Sequence, residues 1–223
     1  MNQIINILMV DDHPIIIEGY QNTLMATKRN DQTLTIDTAN DCDTANILMR
    51  KAVREKPYDV LFFDISLPAS SDGLLSSGED LAKLARQLMP NSKIIILTMF
   101  SESYRIHNII KTISPDGFLI KSDLTSSELA EAFQHILVAP PYYSSTVNQF
   151  LNKFIVNDIQ IDEIDRKILH LLSQGIKTRS IPEYIDLSIS SIEKRKKQLK
   201  ELFSITDGKD ESLILKAREK GFL

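Results

Sequence analysis

The sequence predicts an α/β protein: a five-stranded, doubly wound parallel sheet, followed by a second, small all-α domain. Three observations carry that prediction. Short apolar runs alternate with helix-patterned segments five times over residues 4–137. The runs at 4–10, 58–63 and 94–97 are nearly continuous in Ile, Leu, Val, Met and Phe, which suits strands covered on both faces. After a break with adjacent prolines, residues 161–223 show only helical periodicity.

The elements follow in order. Ile4 to Val10 reads as a buried strand running into Asp11 and Asp12. Ile16 to Thr27 is helix-like, and Leu34 to Thr38 a strand. Residues 44–55 place Ala45, Leu48, Met49 and Ala52 at amphipathic-helix spacing, and Pro57 ends that helix. Tyr58 to Phe63 is a strand ending at Asp64. Leu67 to Ser77 is a Ser-, Gly- and Pro-containing loop, and Glu79 to Leu88 a helix before Pro90. Ile94 to Leu97 is a strand ending at Thr98. Tyr104 to Thr112 is a helix, Phe118 to Ile120 a strand ending at Lys121, and Ser126 to Leu137 a helix with Ser126 as its cap. The boundaries are therefore 1–138 for the α/β domain, 139–160 for a linker with a short helix near 147–154, and 161–223 for the helical domain.

Composition narrows the function classes. Net charge is −4, so a nucleic-acid site must be a local patch. Residues 158–223 hold 13 basic and 12 acidic side chains, against 13 and 18 in the rest of the chain. Cys42 is the only cysteine, which excludes an intramolecular disulfide and points to a reducing compartment. The N-terminus lacks the basic segment of a signal peptide, and no apolar run approaches the roughly 20 residues that span a bilayer. A cytoplasmic protein without membrane association is expected.

In an open parallel sheet, ligands bind beyond the carboxyl ends of the strands. Asp11, Asp12, Asp64, Thr98 and Lys121 all fall there, on different strands. Three converging carboxylates repel one another unless a hard cation joins them, and oxygen-rich open sites suit Mg²⁺. A carboxylate can itself attack phosphorus to give an aspartyl phosphate. A cation, an ammonium such as Lys121 and a hydroxyl such as Thr98 would then stabilise the phosphoryl oxygens. His13 is read as shaping the turn before Pro14 rather than as a metal ligand.

On these residues the sequence resembles the receiver domain of two-component response regulators of the NarL/LuxR branch. DDHPIIIEGY resembles that branch's acidic opening, YDVLFFDISLP its phosphorylation strand, IIILTMF the strand carrying the switch threonine, and DGFLIKSD the segment carrying the lysine. The resemblance implies that a sensor histidine kinase or small phosphodonor phosphorylates Asp64. It implies that Asp11, Asp12, Asp64 and the backbone carbonyl of Ser66 hold Mg²⁺, and that Lys121 pairs with the phosphoryl group. Thr98 would move toward that group and let the ring of Phe118, the switch aromatic, turn inward. Two departures stand out. The loop after Asp64 is about six residues longer than usual, with Gly78 filling the place of a glycine normally nearer Pro68. Phe118 replaces a common tyrosine.

Residues 163–173 form a helix closed by Gly175. Ser180-Ile-Pro-Glu183 has the form of a capping box opening a second helix that runs to about Asp186. A third helix runs from Ser190 to about Phe203. Its stripe of Ile192, Leu199, Leu202 and Phe203 opposes Lys194, Arg195, Lys197 and Lys200. Helix, short turn and basic amphipathic helix make a helix-turn-helix, whose basic residues neutralise phosphates and can read base edges. The segment resembles the LuxR-type DNA-binding domain, which implies Ser190, Ser191, Glu193, Lys194, Arg195, Lys197 and Lys200 as contacts to double-stranded DNA. Glu193 stands where lysine is common. A last helix at about 212–220 would help form a homodimer on DNA.

The reading is thus a transcription regulator and not an enzyme. The competing class, an aspartyl-phosphate phosphatase, usually needs a general acid two residues after the nucleophile, where this chain has Ser66. A regulator that acts without phosphorylation is the third alternative.

Overall fold

The apolar runs become the strands β1 (Gln3–Val10), β2 (Gln32–Ala39), β3 (Val60–Asp64), β4 (Lys93–Thr98) and β5 (Gly117–Ile120) in a computed structural model that describes residues 3–99, 103–156 and 161–223. Between and after them lie α1 (Pro14–Thr27), α2 (Cys42–Arg54), α3 (Gly78–Leu88), α4 (Ser103–Ile113) and α5 (Ser126–Val138). All strand pairs are parallel, in the order β2-β1-β3-β4-β5-β6, where β6 is Tyr142–Tyr143. Parallel strands need crossovers, and the helices supply them. Alternate strand residues enter two cores. Ile5, Ile7, Met9, Val60, Phe62, Ile95, Leu97 and Leu119 pack with α1 and α5. Leu8, Val10, Leu61, Phe63, Ile94 and Ile96, of the opposite parity, are also buried. Burying each such side chain contributes roughly 1.5–3 kcal/mol.

The sheet has six strands, not the expected five. Tyr142 pairs with Gly117 and Tyr143 with Phe118, so β6 covers β5. A two-residue strand beside two prolines carries no periodicity by which a sequence reading could find it. The segment 139–160 therefore holds β6 and a helix, α6 (Ser145–Val156), while residues 157–160 of the expected linker lie outside the described residues. The cap of α5 is Thr125, whose hydroxyl accepts from Glu128 N–H, rather than Ser126.

The described chain divides into two units, Met1–Ser101 with Asn108–Val147, and Glu102–His107 with Asn148–Leu223. The second contains α7 (Glu163–Ser173), a 3-10 helix at Thr178–Glu183, α8 (Ile189–Leu202) and α9 (Asp210–Glu219). Asp162 caps α7 by accepting from Asp165 N–H, and Ser188 caps α8 by accepting from Ser191 N–H. Ile168, Leu169, Ile181, Ile192, Leu199, Phe203, Leu213 and Phe222 close one small core. The capping box expected at Ser180 does not form: the turn is 3-10, begins at Thr178 and has no side-chain cap. Pro182 inside so short a segment removes an N–H that a regular α-helix would use.

Candidate functional site

The winding of the sheet reverses between β1 and β3, and the acidic residues sit at that switch point. β1 delivers Asp11 and Asp12 one and two residues past its end, and β3 ends on Asp64. Asp64 lies in register with Leu97, so Thr98 at the end of β4 is the next position along. Thr98 is in register with Ile120, which places Lys121 just beyond β5. Parallel pairing thus brings together groups up to 110 residues apart.

The geometry is that of a buried charge cluster. Lys121 Nζ donates to Asp11 Oδ2 at 2.6 Å and lies 3.0 Å from Asp64 Oδ2. The lysine side chain is 6% exposed and each carboxylate 2%. Burial pushes the Asp64 carboxyl above the usual carboxylate range and Asp11 adds to this, while Lys121 and the backbone N–H of Ser66 oppose it. Burial alone would lower the Lys121 ammonium, but its bonds to Asp11 and Asp64 outweigh that and raise it. The lysine therefore stays charged between its carboxylates.

Two oxygens of the acidic group are left over, one on Asp12 and one on Asp64. Asp64 Oδ1 is buried without a hydrogen-bond partner. A buried carboxylate oxygen in that condition calls for a cation or an electrophile. Ligand atoms of Asp11, Asp12, His13 and Asp64 lie within 4.8 Å of one another. Three carboxylates make a hard-oxygen donor set, which fits Mg²⁺. His13 does shape the turn: its backbone N–H donates to Asp11 Oδ1 at 3.0 Å, and it precedes Pro14 at the start of α1. Its Nδ1 is also 2.7 Å from Asp12 Oδ1, an ion-pair distance without hydrogen-bond alignment.

The long loop after Asp64 is ordered by its own polar groups. Ser70 N–H donates to Leu75 O at 2.7 Å, and Gly73 N–H, at φ 70°, donates to Ser70 O. Ser71 N–H donates to Asp43 Oδ2 at 2.9 Å, tying the loop to α2. The loop closes at Gly78, where a Cβ would stand 1.8 Å from the carbonyl oxygen of Asp64. That contact explains why glycine is needed at this point, six residues later than expected.

Phe118 differs from expectation. Its ring is fully buried, so the inward turn expected of the switch aromatic has no outward starting point here. Phenylalanine has no hydroxyl to keep wet, and β6 leaves β5 without a free edge at this residue.

On α8, the sequence-predicted contacts separate into two sets. Ser190, Glu193, Lys194 and Lys197 are exposed, and Ser191 is half-buried beside the Ser188 cap. Arg195 and Lys200 are half-buried and paired within the domain. Arg195 Nη1 donates to Asp162 Oδ2 at 2.7 Å and Asp165 Oδ1 at 2.8 Å. Lys200 Nζ lies 2.6 Å from Asp210 Oδ1 and donates to Gly208 O. Asp162 and Asp165 pair with Arg195, and Asp210 with Lys200, so these cations also tie α8 to α9 and to the start of α7. The reading from sequence missed Lys196. It is 6% exposed and donates to Thr178 Oγ1 at 2.6 Å and Asp210 Oδ2 at 2.8 Å. Its spacing, four after Ile192 and three before Leu199, already put it on the apolar stripe.

Residues 7–134 match the family described as the response regulator receiver domain. The chain is similar to the oxygen regulatory protein NreC of Staphylococcus epidermidis, 23% identical over 203 residues, covering 85% of this chain and 87% of that protein. It is similar to NreC of Staphylococcus carnosus at 25% over 202 residues, with the same coverage. Among solved structures it is similar to RcsB from Salmonella enterica serovar Typhimurium bound to a promoter in the presence of a phosphomimetic, at 20% identity, 95% and 97% coverage and a TM-score of 0.61. A structure of two RcsB dimers bound to two parallel DNAs is similar at 21% identity, 96% and 98% coverage and a TM-score of 0.62. Likeness at that identity speaks for the fold of the whole chain, and the match at 7–134 for its first unit. The chain belongs to the response regulators, with a receiver domain first and a small helical domain after it.

Proposed function

We propose that this response regulator accepts a phosphoryl group on Asp64 and controls transcription by binding double-stranded DNA through α8. The observation that carries the first half is the buried Lys121 ammonium 3.0 Å from an Asp64 carboxylate whose other oxygen has no partner. A carboxylate oxygen of Asp64 bonds to phosphorus as the phosphorus–nitrogen bond of a kinase phosphohistidine, or the phosphorus–oxygen bond of a small phosphodonor, breaks. Lys121 neutralises charge on the phosphoryl oxygens, and the Thr98 hydroxyl donates to one of them. Asp11, Asp12, Asp64 and the Ser66 carbonyl would hold Mg²⁺, which supplies further charge neutralisation when bound. Ser66 offers no general acid, so sustained turnover of phosphate esters is not part of this reading.

The DNA half rests on the exposed set Ser190, Glu193, Lys194 and Lys197, presented by a helix held from behind. Binding as a homodimer fits the similarity to RcsB, whose dimers are seen on DNA. A cytoplasmic site of action fits a chain in which no described helix is long and apolar enough to cross a membrane.

Titrating a labelled duplex at several salt concentrations tests the assignment. Lys194→Ala and Lys197→Ala each lower the slope of log affinity against log salt by about one. Arg195→Ala leaves the slope unchanged and costs about 1 kcal/mol in urea denaturation, because it breaks pairs within the domain. A lowered slope in Arg195→Ala with unchanged stability would reverse the roles of the two sets.

A further inference from the structure

Asp123 lies two residues past Lys121, in the 3-10 turn Lys121–Asp123 that leads out of β5. Its carboxylate receives three donors from the segment that opens α6. Ser144 Oγ donates to Oδ2 at 2.6 Å, Thr146 N–H to Oδ2 at 2.9 Å, and Thr146 Oγ1 to Oδ1 at 2.8 Å. Ser144 is fully buried, and its hydroxyl also accepts from Ile120 N–H at 3.1 Å. Its own N–H donates to Phe118 O at 3.0 Å. Phe118 and Ile120, with the turn that carries Asp123, are thus tied through one serine and one aspartate to the first turn of α6. Nothing in the chemistry of the acceptor site requires this: no group in the latch touches Asp11, Asp12 or Asp64.

The consequence follows from where the ties end. Lys121 is held by Asp11 and Asp64 at one end and belongs to the 3-10 turn at the other. Adding a phosphoryl group to Asp64 gives its ammonium a new and more highly charged partner. Any shift of the Lys121 backbone moves Asp123, the carboxylate that accepts from Ser144 and Thr146. Two residues of chain and one hydrogen-bonded step separate the acceptor's counter-ion from the start of α6. A half-buried network anchored on a buried serine, with each bond either made or broken, has discrete arrangements rather than a continuum.

We infer that Asp123 is a positioning residue: with Ser144 and Thr146 it forms a latch that holds the start of α6 to β5 and yields when Asp64 is phosphorylated. The inference rests on Asp64 being the phosphoryl acceptor. It assigns to this chain a route by which the receiver's state reaches the segment before the helical domain.

The test uses the full chain, acetyl phosphate with Mg²⁺, intact mass to count adducts, and amide exchange followed by mass spectrometry over residues 142–152. In the wild-type chain the adduct speeds exchange of this segment by about tenfold, since Thr146 N–H loses its acceptor. Asp123→Asn takes up the adduct normally, exchanges fast from the outset and no longer responds to it. Thr146→Val, which keeps the N–H and removes one donor, gives an intermediate response. Glu128→Gln loosens Tyr142, whose hydroxyl donates to Glu128 at 2.9 Å, without touching the latch; it keeps the wild-type response and separates the latch from general loosening of the strand. Exchange that is unaltered by the adduct in the wild-type chain, or an Asp123→Asn chain that still responds, would overturn the latch while leaving the acceptor assignment standing. Absence of any adduct on the wild-type chain would overturn both.

Discussion

Lys121→Met lowers the rate of phosphoryl uptake from acetyl phosphate by about a hundredfold or more, the scale of losing one preorganised charge from a transition state of this kind. The effect is large because the lysine is close and buried. Its ammonium sits 2.6 Å from Asp11 and 3.0 Å from Asp64, and it is the cation within ion-pair distance of both among the described residues. Methionine keeps the length and apolar stem and removes only the charge. The same substitution leaves two buried carboxylates facing each other without the ammonium between them. Breaking a buried pair in this way costs about 3–5 kcal/mol. Urea denaturation in the presence of a chelator reads that loss, and adding Mg²⁺ recovers part of it, since the cation replaces the missing charge. A variant that labels at the wild-type rate would remove Lys121 from the site.

Gly78→Ala is the second large effect, and it acts through the backbone. The new methyl would stand 1.8 Å from the carbonyl oxygen of Asp64 and 2.8 Å from its carbonyl carbon. Neither atom belongs to a side chain that can swing away. Either α3 shifts outward or the end of β3 moves, and overpacking of this kind costs about 3 kcal/mol. The midpoint of urea denaturation falls accordingly. Labelling of Asp64 falls as well, because the strand end that aims the carboxylate is the part displaced. Ala at Gly73, where nothing lies within 4 Å of the new Cβ but φ is +70°, costs only about 1 kcal/mol and leaves labelling intact. The contrast between the two glycines separates close approach from backbone strain.

Much of this site was readable from spacing alone. Asp11, Asp12, Asp64, Thr98 and Lys121 each follow an apolar run, and in a parallel sheet the ends of such runs share one edge. The long-range contacts came from topology, which a strand–helix alternation largely dictates. What escaped has physical reasons. β6 is two residues long, too short for any period, and its one core contact, Tyr142 against the cluster under α1 and α5, is invisible to a pattern search. The 3-10 turn at Thr178–Glu183 looks like a capping box because Ser180 and Glu183 have the right spacing, but Pro182 and the shortness of the segment decide otherwise. On α8, basic residues all look alike in sequence. Only the positions of Asp162 and Asp165 at the start of α7 and of Asp210 on α9 tell which of them pair within the domain. Lys196 was the exception, since its place on the apolar stripe was visible in its spacing from Ile192 and Leu199.

The central claim is that Asp64 is the phosphoryl acceptor of a site assembled from β1, β3, β4 and β5. Intact-protein mass after incubation with acetyl phosphate and Mg²⁺, comparing the wild-type chain with Asp64→Asn, tests it most directly. A single adduct of about 80 Da on the wild-type chain and none on Asp64→Asn is the predicted result. An equal adduct on both chains, or none on the wild-type chain, would contradict it.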